Sequence, residues 1–245
     1  MTHPQKLKDD SIIEALCQVQ FTSTELPEIV LGRLSDFGQW KAYSKETLPV
    51  SNIPAPIRRT DENLKYEPLL ALRSPDGSRL IRIGENTLSY HVISRYCGWT
   101  TFKDELEQTL VALFDRLEKL VVTRLGFRYI NALTKDRHYI SGADALNLNI
   151  QVAGKTLEGR LNLNYETSPD SAHTVMTRIA SPFFVQGTLP PGVEVVVDID
   201  VFTPPGYETM HIASVLEWVN SAHNYEKDAF FKLVPPEILN KLVEV

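Results

Sequence analysis

The chain reads as an α+β protein of two related halves, each an antiparallel strand meander followed by a long amphipathic helix. Three observations point there. Short runs of alternating apolar and polar residues recur along the chain, separated by Gly, Pro, Asn and Asp. Two longer stretches, around 101–121 and 208–233, carry apolar residues at helical spacing instead. Each follows a group of strand-like runs, and a long one-sided helix needs a sheet face to cover.

The first element is "SIIEALCQVQF", residues 11–21, where Ala15, Cys17, Val19 and Phe21 alternate with Glu14, Leu16, Gln18 and Gln20 as in a half-buried strand. Leu26, Ile29, Val30, Leu34, Phe37 and Trp40 then recur at helical spacing. Residues 41–68 have no period and contain Pro49, Pro54, Pro56 and Pro68. This is a long structureless connection, read as a surface loop or as a lid or partner-binding arm with Arg58 and Arg59 as a positive tip. "EPLLALRS", "SRLIRIGE" and "TLSYHVIS" form a meander, the first two joined by a "PDG" turn. Thr101 and Asp104 fit a capping box for a helix of about 20 residues, whose stripe is Phe102, Leu106, Leu110, Leu113, Leu117 and Leu120. "VTRLGFRYINAL" returns as a strand.

"ALNLNIQV", "TLEGRLNLNYET", "HTVMTRIASPF" and "VEVVVDIDVF" are the strands expected next. A helix over about 208–233 and a short one opened by Pro235-Pro236 close the chain. Residues 1–135 thus form an N-terminal sheet-plus-helix half with its Pro-rich loop at 41–68, and residues 136–245 a C-terminal half. The two lie side by side or share one sheet.

Bulk properties narrow the function. A formal charge of −6, from 31 acidic and 25 basic residues, argues against broad nucleic-acid binding, which needs a basic surplus facing the phosphates. Two cysteines, Cys17 and Cys97, do not make a disulfide framework, and a cytoplasmic protein with reduced thiols is expected. No apolar run nears the roughly 20 residues that span a bilayer, and "MTHPQKLKDDS" is too polar for a leader.

The chemistry-bearing residues cluster on two strands. Arg124, Gly126 and Arg128 share one face of "TRLGFRYIN", with Leu125, Phe127, Tyr129 and Asn131 on the other. Asp198 and Asp200 share a face of "VVDIDV". The four charges suit a cross-strand ionic ladder, or an anion site in which paired guanidiniums grip a carboxylate or phosphate. In "RYCGW", Gly98 permits an unusual backbone angle ahead of a helix, and no Cys–His motif joins Cys97 to His91. Of the six histidines (His3, His91, His138, His173, His211 and His223), no pair has metalloprotease spacing. His223 and Glu226 are three apart at the border of the second helix's stripe, where a helix–sheet hydrogen bond is expected rather than a metal. Glu14, Glu67, Glu85 and Glu166 have no acid–base partner in sequence. No catalytic set, metal or cofactor is expected.

"LIRIGENTLSYHV", "RYCGWTTF", "TRLGFRYINAL", "VVVDIDVF" and the later "H…Y…FF" helix resemble a sporadically distributed, uncharacterised bacterial protein family of about this length, from Ser11 to the chain end. The resemblance implies no site residues. Its patchy occurrence suggests a defence or toxin–antitoxin context. The leading expectation is a non-enzymatic, self-associating cytoplasmic module that binds a protein or peptide. The alternative is a small-molecule or nucleotide-binding protein or enzyme, with a pocket between helices and sheet lined by Arg124, Arg128, Asp198 and Asp200.

Overall fold

The computed structural model describes residues 7–156 and 159–243, so His3 lies outside it. The described residues form a mixed α/β structure with one large antiparallel sheet and six helices. In order these are β1 (Ile12–Thr22), α1 (Pro27–Ser35), β2 (Ser44–Thr47), α2 (Ala55–Thr60), β3 (Leu70–Arg73), β4 (Arg79–Ile83), β5 (Thr87–Ile93), α3 (Trp99–Arg116) and β6 (Val121–Thr134). Then follow α4 (Lys135–His138), β7 (Gln151–Val152), β8 (Lys155–Thr156), β9 (Asn162–Thr167), β10 (Thr174–Ala180), β11 (Val193–Phe202), α5 (Ile212–Leu233) and α6 (Pro236–Leu242).

Nine strands run in the order β2-β3-β4-β5-β1-β6-β11-β10-β9, while β7 and β8 form a separate small hairpin. Strands from residues 1–135 and from residues 136–245 therefore share one sheet, meeting where Phe127 of β6 faces Val201 of β11. Period-two alternation gives this sheet two unlike faces. Ala15, Cys17, Val19 and Phe21 of β1, Leu125 and Phe127 of β6, and Val195, Val197, Ile199 and Val201 of β11 are buried on one face. The helices cover that face. α3 buries Phe102, Leu106, Leu110 and Leu113, and α5 buries Val215, Trp218, Val219 and Ala222. Each such side chain contributes about 1.5–3 kcal/mol by leaving water. The other face carries the polar alternates, among them Glu14, Gln18, Ser89, His91, Arg124, Arg128, Asp198 and Asp200.

Three local expectations are corrected. α3 begins at Trp99, and Gly98, at φ +86°, precedes it as the cap; the Thr101–Asp104 box does not form because those residues already lie inside the helix. Of "ALNLNIQV", only Gln151–Val152 is a strand. Asn147 N–H donates to the Leu233 carbonyl (2.7 Å) and its side chain to the Lys232 carbonyl (3.2 Å), which ties this stretch to the end of α5 and not to a ladder. Residues 41–68 are structured, holding β2, a 3-10 turn at Pro49–Asn52, and α2. Arg58 and Arg59 are not a free positive tip. Arg58 is 9% exposed and donates to Glu85 at 2.6 Å and to the Ile53 carbonyl; Arg59 meets the same carboxylate at 2.8 Å. The two arginines clamp the arm to the β4–β5 turn.

Candidate functional site

Tyr129 and Asn131 follow Phe127 on the helix-covered face of β6. A cavity of about 770 Å³ opens there, between the start of β1, the β5–α3 turn, β6 and the middle of α5. Its aromatic wall is continuous. Trp99 stacks on His223 with centroids 3.8 Å apart and planes 9° apart, and the Tyr96 and Tyr129 hydroxyls share a 2.6 Å hydrogen bond.

Polar groups without partners face this space. Asn131 is 2% exposed; its carbonyl accepts from Ser11 Oγ at 2.8 Å, yet its Nδ2 has no hydrogen bond among the described residues. His223 Nδ1 is also buried and has no hydrogen-bond partner among them. Glu226, 3% exposed, makes no hydrogen bond among the described residues. Each buried group left unpaired costs about 1–3 kcal/mol. Burial pushes the Glu226 carboxyl up to about 8, so it is largely protonated at neutral pH and can both donate and accept. Burial, with the Lys227 charge beside it, lowers His223 to about 4, which keeps the imidazole neutral. The cavity thus presents a neutral imidazole and a largely protonated carboxyl, with the Asp10 carboxylate also at its wall. Arg95 and Lys227 also line it, and neither has an ion pair among the described residues.

The charged residues singled out in the sequence lie elsewhere, on the opposite, open face. Arg124, Arg128, Asp198 and Asp200 do not line the space between helices and sheet; the strand parity that buries Phe127 and Ile199 turns these four away from it. Arg128 grips Asp198 with two bonds of 2.7 and 2.6 Å, and that pairing raises its pKa. Arg124 donates to Gln18 at 3.3 Å and lies over the Phe202 ring. Asp200 has no hydrogen bond among the described residues, and burial raises its pKa against the pull of Arg124 and Arg128. The Arg124 guanidinium lies 3.2 Å from where a Cβ on Gly126 would stand, and a hollow of about 250 Å³ lies over this part of the face, walled on one side by Tyr66, Glu67 and Pro68 of the arm.

One further chain of groups borders that hollow. His91, 3% exposed, bonds Glu14 Oε1 through Nδ1 and Ser89 Oγ through Nε2, both at 2.7 Å. Burial, reinforced by Arg82 and Arg128, lowers the His91 pKa despite Glu14. Burial acts to raise Glu14, but the His91 bond and the same arginines outweigh it and hold it low. The pair is therefore a carboxylate accepting from a neutral imidazole.

Of the sequence candidates, the structure places Asn131 in the cavity, the two arginines and two aspartates on the open face, and Arg58 and Arg59 in the arm's clamp. Ser11, Glu226 and the Glu14–His91–Ser89 chain escaped sequence reasoning. Ser89-x-His91 on one strand face was the available signal, but Glu14 joins it only through strand pairing. No family model matches the chain, and no curated protein matches it.

Proposed function

We propose that the chain is a small-molecule-binding protein whose ligand occupies the cavity between α3, α5 and the centre of the sheet. One observation carries this reading: the Asn131 amide, His223 Nδ1 and the Glu226 carboxyl, all buried and unpaired, converge on a single aromatic-walled space. Buried polar groups in folded proteins nearly always have partners, and clusters of exceptions in a concavity mark sites that a ligand completes. The unpaired Arg95 and Lys227 favour a ligand that carries an anionic substituent beside an uncharged head.

Native mass spectrometry of the purified protein tests this. A non-covalent adduct, lost in Asn131→Ala and Glu226→Leu variants that still melt cooperatively, is expected. A bare chain whose melting temperature no member of a metabolite library raises would remove the reading.

We infer as well that the chain holds two related halves, divided before β6 and not at residue 135. β2-β3-β4-β5-β1 and β9-β10-β11-β6 run outward in the same order from the central β1–β6 pair, and α3 and α5 each follow the strand next to that pair. This arrangement supports a repeat.

A protein partner is the second reading. Edge strand β9 has an unpaired side, and Phe183, following β10, is 71% exposed with Arg160 over its ring. Such an edge accepts an added strand. Loss of a co-purifying protein on Phe183→Asp supports this reading; retention excludes that surface.

A further inference from the structure

Ser89, His91 and Glu14 stand in a definite order. The carboxylate receives the Nδ1 proton, so the imidazole presents Nε2 as an acceptor to the Ser89 hydroxyl, with both bonds at 2.7 Å. A nucleophile, a base and a group that holds the base in the right tautomer are recognised by this geometry and not by fold or sequence position.

The sheet supplies the rest of the site. In the strand register Ser89 lies directly opposite Arg82 on β4 and directly opposite Gln18 on β1. Residues so paired point to the same face with Cβ atoms about 4.5–5.5 Å apart. The Arg82 guanidinium makes no hydrogen bond among the described residues. Gln18 uses its carbonyl to accept from Arg124, which leaves its Nε2 free to donate. Two donors therefore flank the hydroxyl where charge on an attacked carbonyl oxygen would develop. Gly126, next in the same cross-strand row, has no side chain of its own and lets the Arg124 guanidinium lie over it beside Gln18. Ser89 and His91 both border the hollow of about 250 Å³.

We propose that this is a hydrolytic site for small carboxylic esters: Ser89 is the nucleophile, His91 the general base and acid, Glu14 a positioning residue, and Arg82 with Gln18 the oxyanion donors. Ser89 Oγ bonds to the ester carbonyl carbon as its proton passes to His91 Nε2. The carbon–alkoxide bond breaks, and the departing alcohol takes the proton from His91, which leaves an acyl group on Ser89. Water then attacks that acyl carbon and gives its proton to His91. The Ser89 oxygen leaves, regains that proton, and the carboxylic acid is released. The site lies on the face of the sheet opposite the cavity, so it does not depend on the ligand-binding reading.

The test is an alkyl fluorophosphonate applied to the folded full chain, with the adduct located by peptide mass spectrometry and p-nitrophenyl acetate turnover measured in parallel. One phosphonyl group on Ser89 is expected. Ser89→Ala should lose both the adduct and turnover, by about 10³-fold. His91→Gln should slow labelling similarly while retaining the wild-type melting temperature; if it unfolds, Ser89→Ala decides alone. The pH profile separates Glu14 from a merely structural role. The charged and titratable groups around His91 are Glu14 on β1, Arg82 on β4, Arg124 and Arg128 on β6, and Tyr66, Glu67 and Asp200 across the hollow. Removing the carboxylate in Glu14→Gln lowers imidazole basicity, so the acid limb of turnover should move to lower pH as the plateau drops. No adduct on the folded protein, an adduct on another serine only, or unchanged turnover in Ser89→Ala overturns the proposal.

Discussion

Arg128 binds Asp198, its diagonal neighbour, and not Asp200, which lies directly opposite it in the β6–β11 register. The diagonal lets the guanidinium lie flat and meet both carboxylate oxygens. Asp198 is 8% exposed, and the Arg128 guanidinium meets both of its oxygens. Asp200 makes no hydrogen bond among the described residues and is stabilised through space by Arg124 and Arg128. The two aspartates should therefore behave differently. Asp198→Asn weakens both bonds of a largely buried pair and should cost about 2 kcal/mol. Asp200→Asn removes a desolvated charge with no partner to strand, and should change stability by less than about 0.5 kcal/mol. Urea unfolding of both variants at pH 7 checks the contrast.

The sharing of faces was legible in the sequence, because period-two alternation alone puts Arg124 with Arg128 and Asp198 with Asp200. The long helices were legible too, since each keeps its apolar stripe for several turns. The partners were not. Glu14 meets His91 across 77 positions because β1 returns to lie between β5 and β6, and no local pattern encodes that pairing. β2 escaped notice because all four of its residues are exposed, so it shows no alternation. Cavities form where packing stops, and the residues at Tyr129 and Asn131 continue the same alternation that fills the core a few positions earlier.

Glu226 should make stability fall as pH rises. Its carboxyl is held at about 8 in the fold against an ordinary 4.5, so above 4.5 the unfolded chain releases a proton that the folded chain keeps. His223, lowered to about 4 from 6.5, has the opposite slope, as do His91 and His138, and it fades only as the unfolded imidazoles finish losing their protons, about one pH unit above 6.5. These histidines are common to the wild type and Glu226→Gln, so the difference between the two proteins from pH 6.5 to 8 isolates Glu226. Across it the wild type should lose about 2 kcal/mol relative to Glu226→Gln. Parallel pH dependences for the two proteins in urea unfolding would show that the carboxyl is already ionised.

Glu85 should control the arm. It is 7% exposed and takes Arg58 and Arg59 together, and these are the charged contacts that hold residues 49–60 to the β4–β5 turn. Glu85→Ala leaves Arg58 buried without its carboxylate, which favours release of the segment over retention. Trypsin should then cut after Arg58, Arg59 or Lys65 at least about tenfold faster than in the wild type, since cleavage follows the population of the opened state. Equal rates would mean that the arm stays docked without that carboxylate.

The two cysteines offer a direct probe of the cavity. Cys17 is 1% exposed at the centre of the sheet, and burial pushes its thiol up to about 12. Cys97 is only half-buried and lines the cavity, with burial raising its pKa more modestly. The thiolate is the reacting species, so iodoacetamide at pH 8.5 should modify Cys97 and spare Cys17 in the folded protein, with both reacting in urea. A molecule seated between Trp99 and Glu226 would close the approach to Cys97 without touching Cys17. Protection of Cys97 by a bound compound therefore reports occupancy of this cavity, whereas a compound on the open sheet face should leave the alkylation rate unchanged.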